Sequence, residues 1–259
     1  LFIACCCDQR FQTYSGGGSD FIHALRLASN RRFWQSPGVQ KFTAATFYEN
    51  ISMRTHPEHA VFWDIATAED VKEFEEVLDA AKNEQTMQTF LAMHRHLLAE
   101  HLGGGHCRWV VPQPRLGAEL VPDFLIGEKH SYGHVWVAVE LESPKAKAFT
   151  KAGTPGKELN QAMRQIRDWR EWLTTNINYA RNPKSEGGLG FTEIRPKLDG
   201  LIIIGRRADY DPSTNAHRQQ FREDGIEVHS YEYLLDAARR KVAQREKMSG
   251  GENPAAHLP

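Results

Sequence analysis

Val135-Trp136-Val137-Ala138-Val139-Glu140-Leu141-Glu142-Ser143-Pro144-Lys145 is the stretch on which the fold turns. β-Branched and aromatic residues fill it and Pro144 closes it, the pattern of a strand buried on both faces. Side chains alternate along a strand, so Glu140 and Glu142 share a face with Trp136 and Ala138. Two carboxylates at the end of an apolar strand repel each other and resist desolvation. They call for a cation, a bound proton or an arginine, unless the strand end simply emerges into solvent.

Outward from this strand, Glu119-Leu120-Val121-Pro122-Asp123-Phe124-Leu125-Ile126 also reads as an apolar strand. It carries one carboxylate, Asp123, in its middle, which is costly unless bonded to something. Gly127 to Gly133 reads as a turn, so the two strands form a hairpin. That pairing could set Asp123 beside Glu140 and create a divalent-cation site of hard oxygen ligands.

Before the hairpin, Glu84 to His101 reads as one helix, with Met87, Phe90, Leu91, His94, Leu97 and Leu98 as its apolar stripe. Arg108 to Val111 is a further strand. After the hairpin, Lys157 to Thr175 is a helix whose buried stripe is Leu159, Ala162, Met163, Ile166, Trp169 and Leu173. Ile177 to Pro196 reads as a loop, Leu198 to Gly205 as a strand and Ser213 to Glu223 as a helix. Ile226 to His229 is a short strand, and Tyr231 to Lys247 a closing helix. From Glu84 the order is helix, three strands, helix, strand, helix, strand, helix.

Pro122-Asp123 followed by Glu140-x-Glu142 resembles the PD-(D/E)XK nuclease signature, with Glu142 where a lysine usually stands. Around it stand Glu84-x-x-Met87-Gln88-x-Phe90-Leu91, Trp109-Val110-Val111-Pro112, Gln165-Ile166-Arg167-Asp168-Trp169 and Leu201-Ile202-Ile203-Ile204-Gly205-Arg206. That ordered set is similar to the nuclease domain of the Shedu anti-phage defence family, over about residues 80 to 240. The resemblance implies an α/β fold with a restriction-endonuclease-like αβββαβ core, a mixed sheet flanked by helices. It implies a magnesium-dependent endonuclease acting on nucleic acid, DNA first, with Mn²⁺ able to replace Mg²⁺. Asp123 and Glu140 would hold the metal, with the Leu141 carbonyl as a third oxygen and Glu84 nearby on the first helix. Gln165, four residues before Trp169, would lie over the site.

The missing lysine leaves two substitutes. Glu142 could act as general base or as a further metal ligand, and Lys145 could swing back to supply the cation. Phosphate contacts are expected from Lys147 in the basic loop, from Arg164 and Arg167 on the following helix, and from Arg206 and Arg207 at a strand end. Helices also carry solvated arginines at this density.

The 259 residues suffice for one large domain or two small ones, and the 41% hydrophobic content is ordinary for a globular protein. A net charge of −1 supplies no global basic field, so nucleic-acid contacts must come from local patches. No apolar run reaches membrane-spanning length. Cys5, Cys6 and Cys7 are contiguous and Cys107 is alone, which suggests neither a disulfide framework nor a zinc ribbon but a reducing cytoplasm. His94, His96, His101 and His106 with Cys107 invite a zinc reading, but no second close ligand pair follows and a structural role is favoured.

The expected organisation is a leader over 1–19 and an accessory region over 20–80, with a helix from Asp20 and strands over 42–48 and 60–65. A nuclease domain over 81–247 and a disordered tail over 248–259 follow. A homo-oligomer is expected. The rival reading is a catalytically inactive module for nucleic-acid binding, sensing or oligomerisation on a nuclease fold, supported by the lost lysine.

Overall fold

Apolar strands with polar connections assemble here into one mixed sheet between two helical layers, in a computed structural model that describes residues 56–61, 66–103, 107–117 and 120–249. In chain order the helices before the sheet are α1 (Ala68–Ala80), α2 (Glu84–Met93) and α3 (Arg95–Ala99). Strands β1 (Cys107–Pro112), β2 (Phe124–His130) and β3 (Gly133–Leu141) follow. Then come α4 (Lys157–Arg181), β4 (Asp199–Ile203), α5 (Asn215–Glu223), β5 (Ile226–His229) and α6 (Glu232–Ser249). The expected helix at 20–28, the strand at 42–48, the three adjacent cysteines and residues 250–259 lie outside the described residues.

The sheet order is β1-β2-β3-β4-β5. The first three strands form an antiparallel meander, and β3, β4 and β5 run parallel. Each parallel step is bridged by a helix, α4 and then α5, as parallel pairing requires. From α2 onward this is the helix, three strands, helix, strand order that the sequence implies. Alternation along β3 divides its side chains between two layers. Val137, Val139 and Leu141 enter a core with Phe74 and Leu78 of α1, Met87, Phe90 and Leu91 of α2, and Leu234 and Leu235 of α6. The opposite face packs on α4, where a methyl group on Gly200 would come within 2.5 Å of the Ile166 side chain. The unit that begins at Glu58 contains all these elements, so α1 belongs to the same core as α2 although it precedes residue 81.

Several boundaries differ from expectation for identifiable reasons. The hairpin turns at Ser131-Tyr132, not from Gly127 onward, so β2 begins only at Phe124 and runs to His130. Gly127 lies inside the strand because the Trp136 ring crosses it, leaving 2.5 Å where a side chain would start. Leu120 makes only an isolated bridge to Leu116, and Asp123 stands one residue ahead of β2. The α4 helix bends at Asn176, next to its expected end, and continues to Arg181. The helix expected over 84–101 breaks at His94, where φ is −105° and ψ is 52°. Of the strand expected over 60–65, Ala60 bridges Trp109 of β1, while 62–65 lie outside the described residues.

Candidate active site

Asp123 is the hub of the site. Its Oδ2 accepts the Leu141 backbone N–H at 2.8 Å, across from β3. Its Oδ1 accepts a short hydrogen bond from the Gln88 amide of α2. Its main-chain carbonyl is held by the Gln113 N–H at 2.8 Å, which fixes the approach to β2. Pairing of Phe124 with Val139 brings Asp123 level with Glu140, so the two carboxyl groups act on each other at close range.

Glu140 is 3% exposed and Glu142 8% exposed. The Glu142 backbone is pinned on both sides: its N–H donates to the Ile203 carbonyl at 2.9 Å, and its own carbonyl accepts the buried Tyr231 hydroxyl at 2.8 Å. Glu84 stands in the first turn of α2, behind an Asn83 cap that accepts the Thr86 N–H. That end of a helix carries partial positive charge and tolerates anions. Glu158, in the first turn of α4, reaches the cluster electrostatically from the other layer. The carboxylates therefore gather where β2 begins and β3 ends, with Glu84 and Glu158 acting on them from the first turns of α2 and α4.

All four principal groups are pushed toward their neutral forms. Burial is the largest cause in each case. Glu140 is pushed up to about 10, with Asp123 and then Glu142 adding repulsion. Glu142 is pushed up to about 7 by burial, then by Glu84, Glu158 and Asp123. Glu84 is raised by burial and by Asp123. Asp123 is raised by burial, although the bonds from Leu141, Glu140 and Gln88 oppose the rise. Among the described residues, no lysine or arginine pairs with any of the four. The donor set is oxygen only, buried and without a basic partner, the chemistry a hard divalent cation takes, although no three of these groups bring one ligand atom each within 4.8 Å of one another.

The remaining residues singled out in the sequence fall into two groups. Gln165 is half-buried on α4, seven residues after Glu158 and on the same helical face, and its amide forms no hydrogen bond among the described residues. Arg164 and Arg167 are exposed on α4 without a carboxylate partner there. Lys145 is exposed, and its ammonium pairs with no described carboxylate. Lys147 makes a surface pair with Asp209 at 3.7 Å. Arg206 and Arg207, in contrast, are committed to nearby helices: Arg206 to Glu232 at 2.6 Å and Asp79 at 3.0 Å, Arg207 to Asp236 through a short contact. Gln88 stands in the Glu84-x-x-Met87-Gln88 stretch but has no role assigned to it there, and Tyr231 has none either. Gln88 carries a signal, since it lies one helical turn beyond Glu84 and so on the same face. Tyr231 carries none, because its partner is a backbone carbonyl 89 residues away.

The cluster makes stability depend on pH with a definite sign. An acid whose folded pKa lies near 10 and whose ordinary value is 4.5 keeps a proton in the native state that the unfolded chain has lost. Stability is then fully present at low pH and falls as pH rises through that interval. Glu142 acts in the same direction. Histidines held below 6.5, such as His101 and His229, act oppositely, but only below about pH 7. Between about pH 7 and about pH 9.5 the thermal midpoint of metal-free protein is therefore expected to fall. Glu140→Gln should flatten that slope and raise the midpoint near pH 8.5 by on the order of 2 kcal/mol, roughly 4–8 °C. Differential scanning fluorimetry across buffers checks it, and an unchanged slope in the variant would place the buried proton elsewhere.

A protein-family profile described as the C-terminal region of the Shedu protein SduA matches residues 81–235. Among solved structures, the chain is similar to one titled "structure of restriction endonuclease FokI bound to DNA". The identity there is 14% and the TM-score 0.41, over 66% of this chain but only 27% of that one. No curated protein matches the chain. Among the described residues no helix is long and apolar enough to cross a membrane.

Proposed function

We propose that this chain, which belongs to the Shedu family, is a divalent-metal-dependent nuclease that hydrolyses phosphodiester bonds in DNA as part of anti-phage defence. The observation that carries the reading is the uncompensated carboxylate cluster where β2 begins and β3 ends. Buried acids whose pKa values are pushed together toward neutrality, with no basic partner, are expensive to keep and mark functional sites. Asp123 and Glu140 would hold the metal, Mg²⁺ by preference, with Glu84 at its margin. A metal so held polarises the scissile phosphate and acidifies the attacking water.

The chain's own residues then have distinct tasks. Gln88 and the Leu141 N–H orient Asp123, and Tyr231 with Ile203 keeps Glu142 in place. Glu142, poised near neutrality, is the proton acceptor for the attacking water. Burial is the largest cause of its shift, so part of that shift survives when a cation neutralises Asp123. Gln165 faces the reacting phosphate from α4. Arg164, Arg167 and Lys147 supply backbone contacts to the DNA. The ion pairs of Arg206 and Arg207 leave those two as positioning residues for α6 in this reading, and DNA would have to compete for them.

The absence of the usual lysine favours a second reading, a binding or sensing module without catalysis. One experiment separates the two. Purified protein is incubated with supercoiled plasmid and Mg²⁺ or Mn²⁺, with and without a chelator. Metal-dependent nicking or linearisation that chelation abolishes is expected. Plasmid that stays supercoiled while the protein retains it in a mobility-shift assay would establish the inactive module.

A further inference from the structure

The break at His94 leads to a site that the nuclease reading does not use. In a continuous helix residues two apart point about 200° away from each other and cannot meet one partner. Here α2 stops at Met93 and α3 starts at Arg95, and the change of direction turns His94 and His96 onto the same residue of α1, Asp70. His94 Nδ1 lies 3.2 Å from Asp70 Oδ1, and His96 Nε2 lies 3.3 Å from Asp70 Oδ2. One ligand atom from each of the three falls within 4.8 Å of the others. The two contacts use different oxygens of Asp70, so an ion between the rings would take one of those oxygens or both.

The surroundings are those of a metal site. The other ring nitrogen of His94 faces the Glu73 carboxylate at 3.5 Å, the carboxylate–imidazole arrangement that fixes the tautomer of a metal-bound histidine. Phe90 stacks on the His94 ring at 4.4 Å and holds its plane. Asp70 is held from behind by Thr67, whose N–H and hydroxyl donate to Oδ2 at 2.8 and 2.6 Å. His96 Nε2 is sealed from solvent and, despite its nearness to Asp70, forms no hydrogen bond. A buried ring nitrogen in that state is costly unless it binds something. The three ligand side chains are only 13–19% exposed, so water competes weakly.

We propose that Asp70, His94 and His96 form a zinc site, with Glu73 orienting His94 and a fourth position open to water. Two imidazoles with one carboxylate select a zinc-like ion, whereas the all-carboxylate cluster at Asp123 suits magnesium. The ion ties α1 to the α2–α3 break. The far end of α2 carries Glu84 and Gln88, so zinc would brace the helix that positions Asp123. The inference does not depend on the nuclease reading. His101, grouped with these histidines in the sequence, bonds the Tyr233 hydroxyl at 2.9 Å instead, and His106 lies outside the described residues.

The test uses the full chain stripped of metal and titrated with Co²⁺, followed by displacement with Zn²⁺. The expected result is the intense visible absorption of tetrahedral, nitrogen-ligated cobalt at one equivalent per chain, lost on adding zinc, and a higher thermal midpoint with zinc. His96→Gln should abolish both signals. Glu73→Gln leaves all three ligands in place, so it should keep the stoichiometry while weakening affinity about 10-fold or more. Asp123→Asn, which removes an oxygen ligand of the other cluster, should leave the cobalt absorption unchanged. No absorption in the wild-type protein overturns the proposal, as does absorption that persists in His96→Gln or disappears in Asp123→Asn.

Discussion

Asp123→Asn is expected to lower nuclease turnover at least about 100-fold while leaving the fold standing. Asparagine keeps the shape of the side chain. Its carbonyl can still accept the Leu141 N–H, and the backbone carbonyl still accepts the Gln113 N–H. What disappears is the negative charge that a cation would meet, and with it the repulsion on Glu140. Loss of metal affinity should therefore come without loss of structure, and repulsion on Glu84 and Glu142 should relax. Gln88→Ala, which removes only an orienting bond, should cost about 10-fold. Initial rates of plasmid nicking at saturating Mg²⁺, with circular dichroism as the folding control, measure both. A wild-type rate in purified Asp123→Asn protein would move the metal site away from β2.

What the sequence disclosed and what it hid follow from the range of the forces involved. The parallel strands β4 and β5 and the amphipathic α4 are written in local periodicity, so their positions were readable within a few residues. The pairing of Asp123 with Glu140 was readable for a different reason: a hairpin leaves few registers. The shift of β2 to Phe124–His130 was not, because Gly127 looks like a turn residue until Trp136 is known to lie across it. The break at His94 was equally hidden. Its apolar stripe continues through Phe90, His94 and Leu97 without a glycine or proline to announce a stop. Only packing of α1 against α2 and α3 gives His94 and His96 a common partner in Asp70. The ion pairs of the arginines were hidden for a related reason. Charge at a strand end suggests phosphate, whereas Asp79, Glu232 and Asp236, distant in sequence, supply the carboxylates.

Glu142→Gln and Lys145→Ala, compared side by side, are expected to differ by about two orders of magnitude or more in turnover, with the glutamine variant the slower. Glutamine preserves volume and can keep the Ile203 and Tyr231 contacts, which are made by the backbone of residue 142. It cannot accept a proton at neutral pH. If Glu142 takes the proton from the attacking water, the loss falls on kcat and leaves KM for DNA nearly unchanged. The acidic limb of the wild-type rate profile should then follow the deprotonation of Glu142, which burial, Glu84, Glu158 and Asp123 hold near 7 before metal binds. Bound cation pulls that limb to lower pH, and Glu142→Gln should erase it. Lys145 lies beyond Pro144, exposed and without a carboxylate to hold it near the cluster, so its removal should alter the rate little. The opposite ranking, a severe Lys145→Ala and a nearly silent Glu142→Gln, would show that a cation is still required where the common motif keeps its lysine. Small losses in both would leave Asp123 and Glu140 to work without either neighbour.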